Sequence, residues 1–205
     1  MKYTLSLHMG GSKANQSHNI RDEKSISKSG NIDKTKTKDN ITIIHEPIKK
    51  AYKRLFQKSV DEYNSKQTHA DRIKKNYFTE IEKSKKHVAY ELIIQVGGVK
   101  EGQPQNLEAL YTQYVYDFQK RNSNMQIVGA YIHNDEASQH LHLDVMPVDF
   151  NCKRGMRVQN SLTGALKAQG FKDISKKQTS QIQWEQSERD ALRELCKTYH
   201  IDLQE

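Results

Sequence analysis

Apolar and polar residues alternate along several short segments of the chain, and this pattern predicts β-strands. In residues 2–8 every second position is apolar, as in a strand with one buried face, and Gly10–Ser12 are expected to break it. Residues 88–96 are largely apolar, which is typical of a central strand. The predicted strands are residues 2–8, 41–44, 88–96, 126–133 and a strand that begins at His140.

Apolar residues at helical spacing predict the elements between and after these strands. Residues 48–65 carry an apolar stripe behind Pro47, a residue suited to the start of a helix. By contrast, residues 13–40 are polar without sustained periodicity and are predicted to be a long loop, of the kind that is usually functional or disordered. The predicted helices are residues 48–65, 69–84, about 107–118, about 160–170 and about 183–199.

The order of these elements predicts an α+β protein. Strands joined by helices, with a hairpin between the last two strands, indicate an antiparallel β-sheet with helices packed on one face, a ferredoxin-like arrangement. A chain of 205 residues is long enough for one sizeable domain. Residues 1–205 are therefore predicted to form a single domain with C-terminal helices at about 160–200.

The composition indicates a basic protein from a reducing compartment. The chain carries 33 Lys and Arg against 25 Asp and Glu, a net charge of +8, and basic domains of this kind commonly meet nucleic acid or acidic lipid. No apolar run approaches the length of a membrane span, and the N-terminal segment lacks the apolar core of a signal peptide. Two cysteines, Cys152 and Cys196, are too few for a disulfide framework. We therefore expect a cytoplasmic protein with no membrane partner.

The segment from His133 to His142 carries the densest set of chemically capable side chains. On a strand His140 and His142 point to the same face, and a hairpin with the preceding strand brings His133 beside them. Three imidazoles suit zinc, manganese, nickel or copper, and three protein ligands leave a coordination position open for a substrate. The alternative is a polar strand end that binds no ion.

Two motifs, taken together, resemble those of a known protein family. An N-terminal His18-Asn19-Ile20-Arg21 is followed by Asn31-Ile32-Asp33. The downstream motif reads His133-Asn134-Asp135-Glu136, with His140-Leu141-His142 behind it. In this order the motifs resemble the MobV class of plasmid mobilisation relaxases, also called plasmid recombination (Pre/Mob) proteins, within the HUH endonuclease superfamily.

The resemblance covers most of the chain. Residues 158–171 and the region of Trp184 also look like that family. One departure is Gln139, where the family usually has proline, and it is expected to change the rigidity of the turn without changing the metal ligands. Family members commonly continue into a long helical C-terminal region. This chain is therefore expected to be either the relaxase domain alone or a compact member, and a coupling protein or self-association is expected only through such a region.

The resemblance implies an HUH relaxase fold and a metal-dependent DNA relaxase. Such an enzyme nicks and rejoins single-stranded or hairpin origin-of-transfer DNA of a plasmid or other mobile element. His133, His140 and His142 would hold a divalent metal, with Mn²⁺ or Mg²⁺ expected first and Zn²⁺ or Ni²⁺ as alternatives. His18 would attack the scissile phosphate and keep the 5′ phosphate covalently.

We also expect charged residues to take part in catalysis and in DNA binding. From the resemblance, Glu136 would orient or deprotonate His18, and Arg21 would bind the scissile or an adjacent phosphate. Basic side chains of the long loop and of a later turn are expected to contact DNA phosphates. The expected DNA-binding residues are Arg21, Lys34, Lys36, Lys38, Lys153, Arg154 and Arg157.

Each role has an alternative. His18 could contact phosphate without attacking it, in which case Tyr3 or Tyr52 could be the nucleophile. Glu136 could be a fourth metal ligand, and Asp135 could orient a ligand histidine. The basic residues could belong to solvated loops. For the whole chain, the alternatives are a hydrolytic nuclease that uses water as its nucleophile and a non-catalytic DNA-binding protein with a structural metal.

Overall fold

The structure, a computed structural model, describes residues 1–204, with the side chains of residues 11–13, 25 and 28 outside the description. The strands in this range are β1 (Leu5–Lys13), β2 (Ile41–His45), β3 (Tyr90–Val96), β4 (Met125–His133), β5 (His140–Asp149) and β6 (Gln159–Asn160). They form one sheet in the order β1-β3-β5-β4-β2, with the short β6 beside the end of β5, and all pairs are antiparallel.

Helices connect and follow these strands. They are α1 (Gln16–Asn19), α2 (Glu23–Lys28), α3 (Ile48–Asn64), α4 (Tyr77–Glu82), α5 (Leu107–Arg121), α6 (Leu162–Ala168) and α7 (Ser180–Thr198). Two 3-10 turns lie at Thr37–Asp39 and Ala70–Arg72. No helix in residues 1–204 is both long enough and apolar enough to cross a membrane.

The two faces of the sheet differ in chemistry because side chains alternate along each strand. In β5, Leu141 and Leu143 point to the face that α5, α6 and α7 cover, whereas His140 and His142 point to the other face. The covered face holds the main hydrophobic core, in which the Trp184 side chain is fully buried. The histidines therefore lie on the far side of a rigid, well-packed sheet.

The helices α3 and α4 form a second, smaller core on the histidine side of the sheet. Tyr52 and Phe56 of α3 pack with Tyr77 of α4, and Met146 and Val148 of β5 belong to the same cluster. The expectation that all helices pack on one face is therefore wrong. β5 is long enough to carry histidines at one end and apolar side chains at the other, and the apolar end needs its own cover from water.

The α+β class and the antiparallel sheet with packed helices are confirmed. The break expected at Gly10–Ser12 is wrong, because β1 continues to Lys13 with an irregular register after Met9. The helix expected over 69–84 is reduced to the 3-10 turn at Ala70–Arg72 and to α4. The chain turns at Asn76, whose extended backbone and side-chain oxygen cap the first turn of α4.

The long polar segment 13–40 contains more structure than its sequence indicates. It includes α1, α2 and a 3-10 turn, which span four, six and three residues. Elements of this length are too short to show helical periodicity. A local signal for α1 does exist, because the Asn15 side chain caps it by accepting a hydrogen bond from the backbone N–H of His18.

Candidate active site

Three imidazoles meet where β4 and β5 form a hairpin. His133 pairs directly with His140 across the two strands, and His142 follows on the same face. The ring centroids lie 4.4 Å apart for His133 and His142, 4.8 Å for His140 and His142, and 5.4 Å for His133 and His140. All three residues are buried. The structure therefore brings together the three histidines that the sequence predicts as metal ligands.

One nitrogen of each ring is held by an oxygen that can only accept a hydrogen bond. The contacts are His140 Nδ1 to the Ser138 carbonyl at 2.8 Å and His142 Nδ1 to the Glu91 carboxylate at 2.9 Å. His133 Nε2 likewise contacts the Asn19 carbonyl at 2.9 Å. Each of these nitrogens must carry the ring proton, so the other nitrogen of each ring presents a lone pair.

Within the described residues, none of these three lone pairs accepts a hydrogen bond from a donor outside the cluster. The Nε2 atoms of His140 and His142 face each other at 2.9 Å, and His133 Nδ1 is buried with no hydrogen-bond partner in the described part of the chain. Buried polar atoms of this kind are rare and call for an explanation. Three converging imidazole lone pairs form a donor set that fits a divalent transition metal.

Burial keeps the rings of His133 and His140 neutral. It lowers the pKa of His133 to about 2, and the neighbouring His142 contributes in the same direction. The pKa of His140 is also lowered, first by burial and then by His142. Metal ligation requires neutral imidazoles, so these two rings are in the protonation state that binds a cation at neutral pH.

His18 lies at the mouth of this cluster, on α1. Its ring is half-buried and meets the rings of His133 and His142 edge-on, with centroids 5.9 and 6.0 Å away. The Arg21 guanidinium donates to His18 Nε2 at 3.0 Å, so this nitrogen carries a lone pair. Burial and the nearby Arg21 charge lower the pKa of His18, which favours the neutral, nucleophilic ring.

Arg21 ties α1 to the loop after β4. Its backbone has a φ of 56°, and its side chain is only 3% exposed. The guanidinium donates to both oxygens of Asp135, at 3.0 and 2.7 Å, and to Oε1 of Glu136 at 2.7 Å. Arg21 therefore links α1 to the loop after β4 through buried ion pairs. Only its Nη1, which donates to His18, has no carboxylate partner.

Asp135 does not orient a ligand histidine in this arrangement. Its carboxylate accepts from Arg21, Thr37 and Asn40. Burial works to raise the pKa of Asp135, but these donors outweigh it and hold the pKa at about 2. Asp135 is therefore ionised at neutral pH, and its negative charge balances the positive charge of Arg21.

Glu136 lies between the nucleophile candidate and the metal cluster. Its Oε1 is 4.0 Å from His18 Nε2 and 3.9 Å from His133 Nδ1, and its Oε2 accepts from Asn31 at 2.8 Å. His133, Glu136 and His140 have potential ligand atoms within 4.8 Å of one another, and so do His18, His133 and His142. This position suits Glu136 both as a partner of His18 and as an additional metal ligand.

A polar layer beneath the histidines was not predicted from the sequence. Glu91 on β3 accepts from His142, and Asn19 donates to Glu91 at 2.8 Å and to Asp144 at 3.2 Å. Burial, followed by the charge of Glu91, raises the pKa of Asp144 to about 8. The available signal was a single carboxylate inside the apolar run 88–96, and pairing with β5 turns that carboxylate toward His142.

The basic residues expected to contact DNA divide into two groups. Lys34, Lys36 and Lys38 are exposed on a segment that is fastened to the site, because Asp33 donates its N–H to the carbonyl of Asp135. The other residues, Lys153, Arg154 and Arg157, are also exposed but follow the far end of β5. At about 3.3 Å per strand residue, that end is roughly 20 Å from His142. The segment that carries the first group is thus bonded to the site loop, whereas the second group follows the distant end of β5.

The tyrosine alternatives lie elsewhere. Tyr3 bridges to Leu203 at the edge of the sheet, and Tyr52 is buried in the second core, where its hydroxyl donates to the carbonyl of Val88. Gln139, in contrast, is part of the site loop. Its backbone N–H donates to the Gln103 side chain at 2.6 Å, a bond that a proline at this position could not make.

The chain is similar in sequence to one protein family and in fold to solved structures. The sequence matches the family described as plasmid recombination enzyme (Mob_Pre) over residues 10–183. Two Mn-bound crystal structures of the MobM relaxase domain (MOBV; Mob_Pre), bound to plasmid pMV158 oriT DNA, share the fold. One, at pH 5.5, is 14% identical with a TM-score of 0.52, and the other, at pH 6.8 with a 3′-thiophosphate, is 18% identical with a TM-score of 0.55. Each match covers 98% of this chain and 89% of the other.

No curated protein matches the sequence. The family match nevertheless spans the greater part of the chain and includes His18, Arg21, Glu136 and the three clustered histidines. This chain belongs to the plasmid recombination enzyme family.

Proposed function

We propose that this chain is a metal-dependent DNA relaxase that nicks and rejoins single-stranded origin-of-transfer DNA by transesterification. The observation that carries the proposal is the convergence of three imidazole lone pairs beside a fourth histidine, His18, whose own lone pair accepts from Arg21 at the mouth of the cluster. The MobM relaxase domain, which shares the fold and binds oriT DNA with manganese, supports the same reading.

His133, His140 and His142 are the residues that would hold the divalent metal. When bound there, such a metal supplies a Lewis acid for the oxygens of the scissile phosphate. Glu91 and the carbonyls of Asn19 and Ser138 fix the ring protons on the outer nitrogens, so the other nitrogen of each ring keeps a lone pair for a cation.

His18 acts as the nucleophile in this proposal. Its Nε2 lone pair attacks phosphorus, the bond from phosphorus to the 3′ oxygen breaks, and the 5′ phosphate stays on the ring. The proton on Nδ1 leaves to water, and the 3′ oxygen takes up a proton to become a free hydroxyl. The covalent link conserves the energy of the broken bond, so the reverse attack by a 3′ hydroxyl rejoins the strand.

Arg21 and Glu136 position this reaction. Nη1 of Arg21, the one guanidinium nitrogen without a carboxylate partner, passes from His18 to a phosphate oxygen when the DNA enters, which frees the lone pair. Glu136, whose Oε1 lies 4.0 Å from His18 Nε2, then orients His18 and stabilises its ring with negative charge as the ring becomes cationic. Lys34, Lys36 and Lys38 contact neighbouring phosphates.

The partner is thus origin DNA of a plasmid or mobile element, and the reaction takes place in the cytoplasm. Lys153, Arg154 and Arg157 contact this DNA only if its path extends beyond the second core. A coupling protein and self-association would involve a C-terminal region of the kind that other family members carry.

The test uses single-stranded oligonucleotides that tile the DNA flanking the gene, incubated with the protein and manganese. We expect a nucleotide adduct on the peptide that carries His18, detected by mass spectrometry at neutral pH because a phosphorus–nitrogen bond is acid-labile. His18→Ala should form no adduct, whereas the matched variant His69→Ala, at an exposed turn, should react like the wild type.

Other results would change the proposal in defined ways. An adduct on a tyrosine peptide would keep the relaxase but move the nucleophile. Cleavage without any adduct would indicate a hydrolytic nuclease. Manganese binding without cleavage of any tiled oligonucleotide would indicate a DNA-binding protein with a structural metal.

A further inference from the structure

A cleft of about 310 Å³ lies between α3 and α4, outside the histidine site. Its lining combines lysines with aromatic rings, namely Lys49, Lys53, Lys75, Tyr52, Tyr77 and Phe78. Tyr52 and Tyr77 are buried at its base, whereas the Phe78 ring is only half-buried. A concave surface with cationic edges and an accessible ring suits a ligand that carries both negative charge and flat aromatic groups.

The segment 46–86, which contains α3 and α4, holds most of the net positive charge of the protein. Residues 46–86 contain twelve Lys and Arg against six Asp and Glu, a net charge of +6 out of +8 for the whole chain. Three of the six acidic side chains pair with cations, Glu46 with Arg54, Glu62 with Lys58 and Glu80 with Lys74. Glu82 lines the cleft, where the three lysines outnumber it. The region therefore attracts anions strongly.

The lysines of the cleft are available to a ligand. Lys49, Lys53 and Lys75 are exposed, and none of them forms an ion pair with any carboxylate in residues 1–204. The Lys49 ammonium lies 5.6 Å from the centre of the Phe78 ring. Phe78 also meets Tyr52 edge-on at 5.2 Å, so its ring is held in place from below.

The cleft begins beside the candidate active site. The Gln16 side chain accepts from the backbone N–H of Ile48 at the start of α3, and it donates to the carbonyl of Glu46. Gln16 stands two residues before His18 on α1, and Lys49 directly follows Ile48. The start of α3, which carries Lys49, is thus bonded to α1, the helix that carries His18.

We propose that the α3–α4 cleft binds single-stranded DNA, with Lys49, Lys53 and Lys75 on consecutive phosphates and one base stacked on Phe78. The identity of the strand as origin DNA rests on the proposed function, but the binding itself does not require nicking. The cleft favours a single strand over a duplex because stacking on Phe78 needs an unpaired base with an open face.

The experiment measures binding by fluorescence anisotropy in EDTA, with an oligothymidylate of about 16 nucleotides, the upper end of common site sizes, and with a duplex of equal length. Lys49→Gln/Lys53→Gln/Lys75→Gln should weaken oligothymidylate binding about tenfold or more and lower the slope of log K against log salt by about 2, since each single-strand contact contributes about 0.7. The matched control is Lys172→Gln/Lys176→Gln/Lys177→Gln, three exposed lysines before α7.

A second variant separates stacking from charge. Phe78→Leu keeps an apolar side chain against Tyr52, and we expect about tenfold weaker oligothymidylate binding, with the salt slope and duplex binding unchanged. Equal losses for the cleft and control triple variants would overturn the proposal, because only net charge would then matter. So would a Phe78→Leu protein that binds like the wild type.

The design distinguishes this inference from the proposed function. Binding is measured without metal, so a protein that never nicks can still show the cleft effect. Conversely, a His18 adduct that forms normally in the triple cleft variant, together with unchanged oligothymidylate binding, would leave the relaxase intact and remove the cleft from it.

Discussion

Two buried polar clusters lie on opposite sides of the same sheet, and they differ in whether each hydrogen-bond acceptor has a donor. On the α7 side, Glu188 is 3% exposed and accepts from Tyr114, Arg121 and Asn122. Asn122 in turn accepts from the indole of Trp184 at 2.7 Å. Every acceptor of this Glu188 cluster faces a donor, as expected of a network that stabilises a fold.

The histidine cluster shows the opposite condition. Two ring nitrogens with lone pairs face each other, and a third is buried without any partner among the described residues. Such an arrangement costs stability unless a cation completes it. The comparison teaches that polarity and burial alone do not mark a functional site. The mark is an excess of acceptors over donors, and this excess predicts what the site binds.

The largest expected effect is the loss of nicking when two histidines of the cluster are removed. His140→Ala/His142→Ala removes two ligands, and nicking with manganese should fall by about a thousandfold or more, because a Lewis acid at phosphate supplies several kcal/mol. The midpoint of thermal unfolding in EDTA should stay close to the wild-type value or rise, since the variant removes two opposed lone pairs. A large drop in that midpoint would show that the cluster is mainly structural.

Disrupting the Glu188 cluster should instead lower stability and leave nicking unchanged. Glu188→Ala leaves Arg121 and the hydroxyl of Tyr114 without their acceptor, at a cost of about 3 kcal/mol in the free energy of unfolding. Chemical denaturation measures this loss, and Glu188→Gln, which keeps one acceptor oxygen, should lose less. The folded fraction of Glu188→Ala should nick at the wild-type rate. A selective loss of nicking would refute a purely stabilising role for Glu188.

Metal binding sharpens the contrast. At a manganese concentration of about a hundred times Kd, the wild type should gain about 2.7 kcal/mol of unfolding free energy. Glu188→Ala should gain the same increment from its lower baseline, whereas His140→Ala/His142→Ala should gain none. Denaturation with and without manganese measures all three. An equal gain in the double histidine variant would mean that the ion binds elsewhere.

The histidine cluster was predictable because its geometry is local. His140 and His142 are two positions apart on one strand, and a short connection returns His133 to them, so alternation and a hairpin suffice. The antiparallel sheet followed from similar short-range patterns. The second core did not, since nothing in the local sequence of α3 says which face of the sheet it covers.

The supporting residues were beyond the sequence because they act across long separations. Glu91 is 51 positions from His142 and meets it only through the pairing of β3 with β5. For Arg21 the phosphate contact stays a prediction, and what the sequence did not indicate is its carboxylate partner Asp135, 114 positions away. Lys153 and its neighbours follow β5, the strand of His140 and His142, in sequence, and the length of β5 carries them away from those histidines.

The smallest effect concerns Glu91, which accepts from Nδ1 of His142, a proposed metal ligand. Glu91→Gln keeps an acceptor for the ring proton but loses its charge, and we expect manganese affinity to fall about tenfold, at the lower end of the range for such partners. Calorimetric titration measures this, with Glu101→Gln as the matched control on an exposed loop bonded to Thr4. Because Asn19 also donates to Glu91, the amide leaves one hydrogen bond of that layer mismatched, and nicking at saturating manganese separates the two effects. A rate restored by excess manganese assigns Glu91 to metal affinity, whereas a rate that stays low indicates that α1, and with it His18, has shifted.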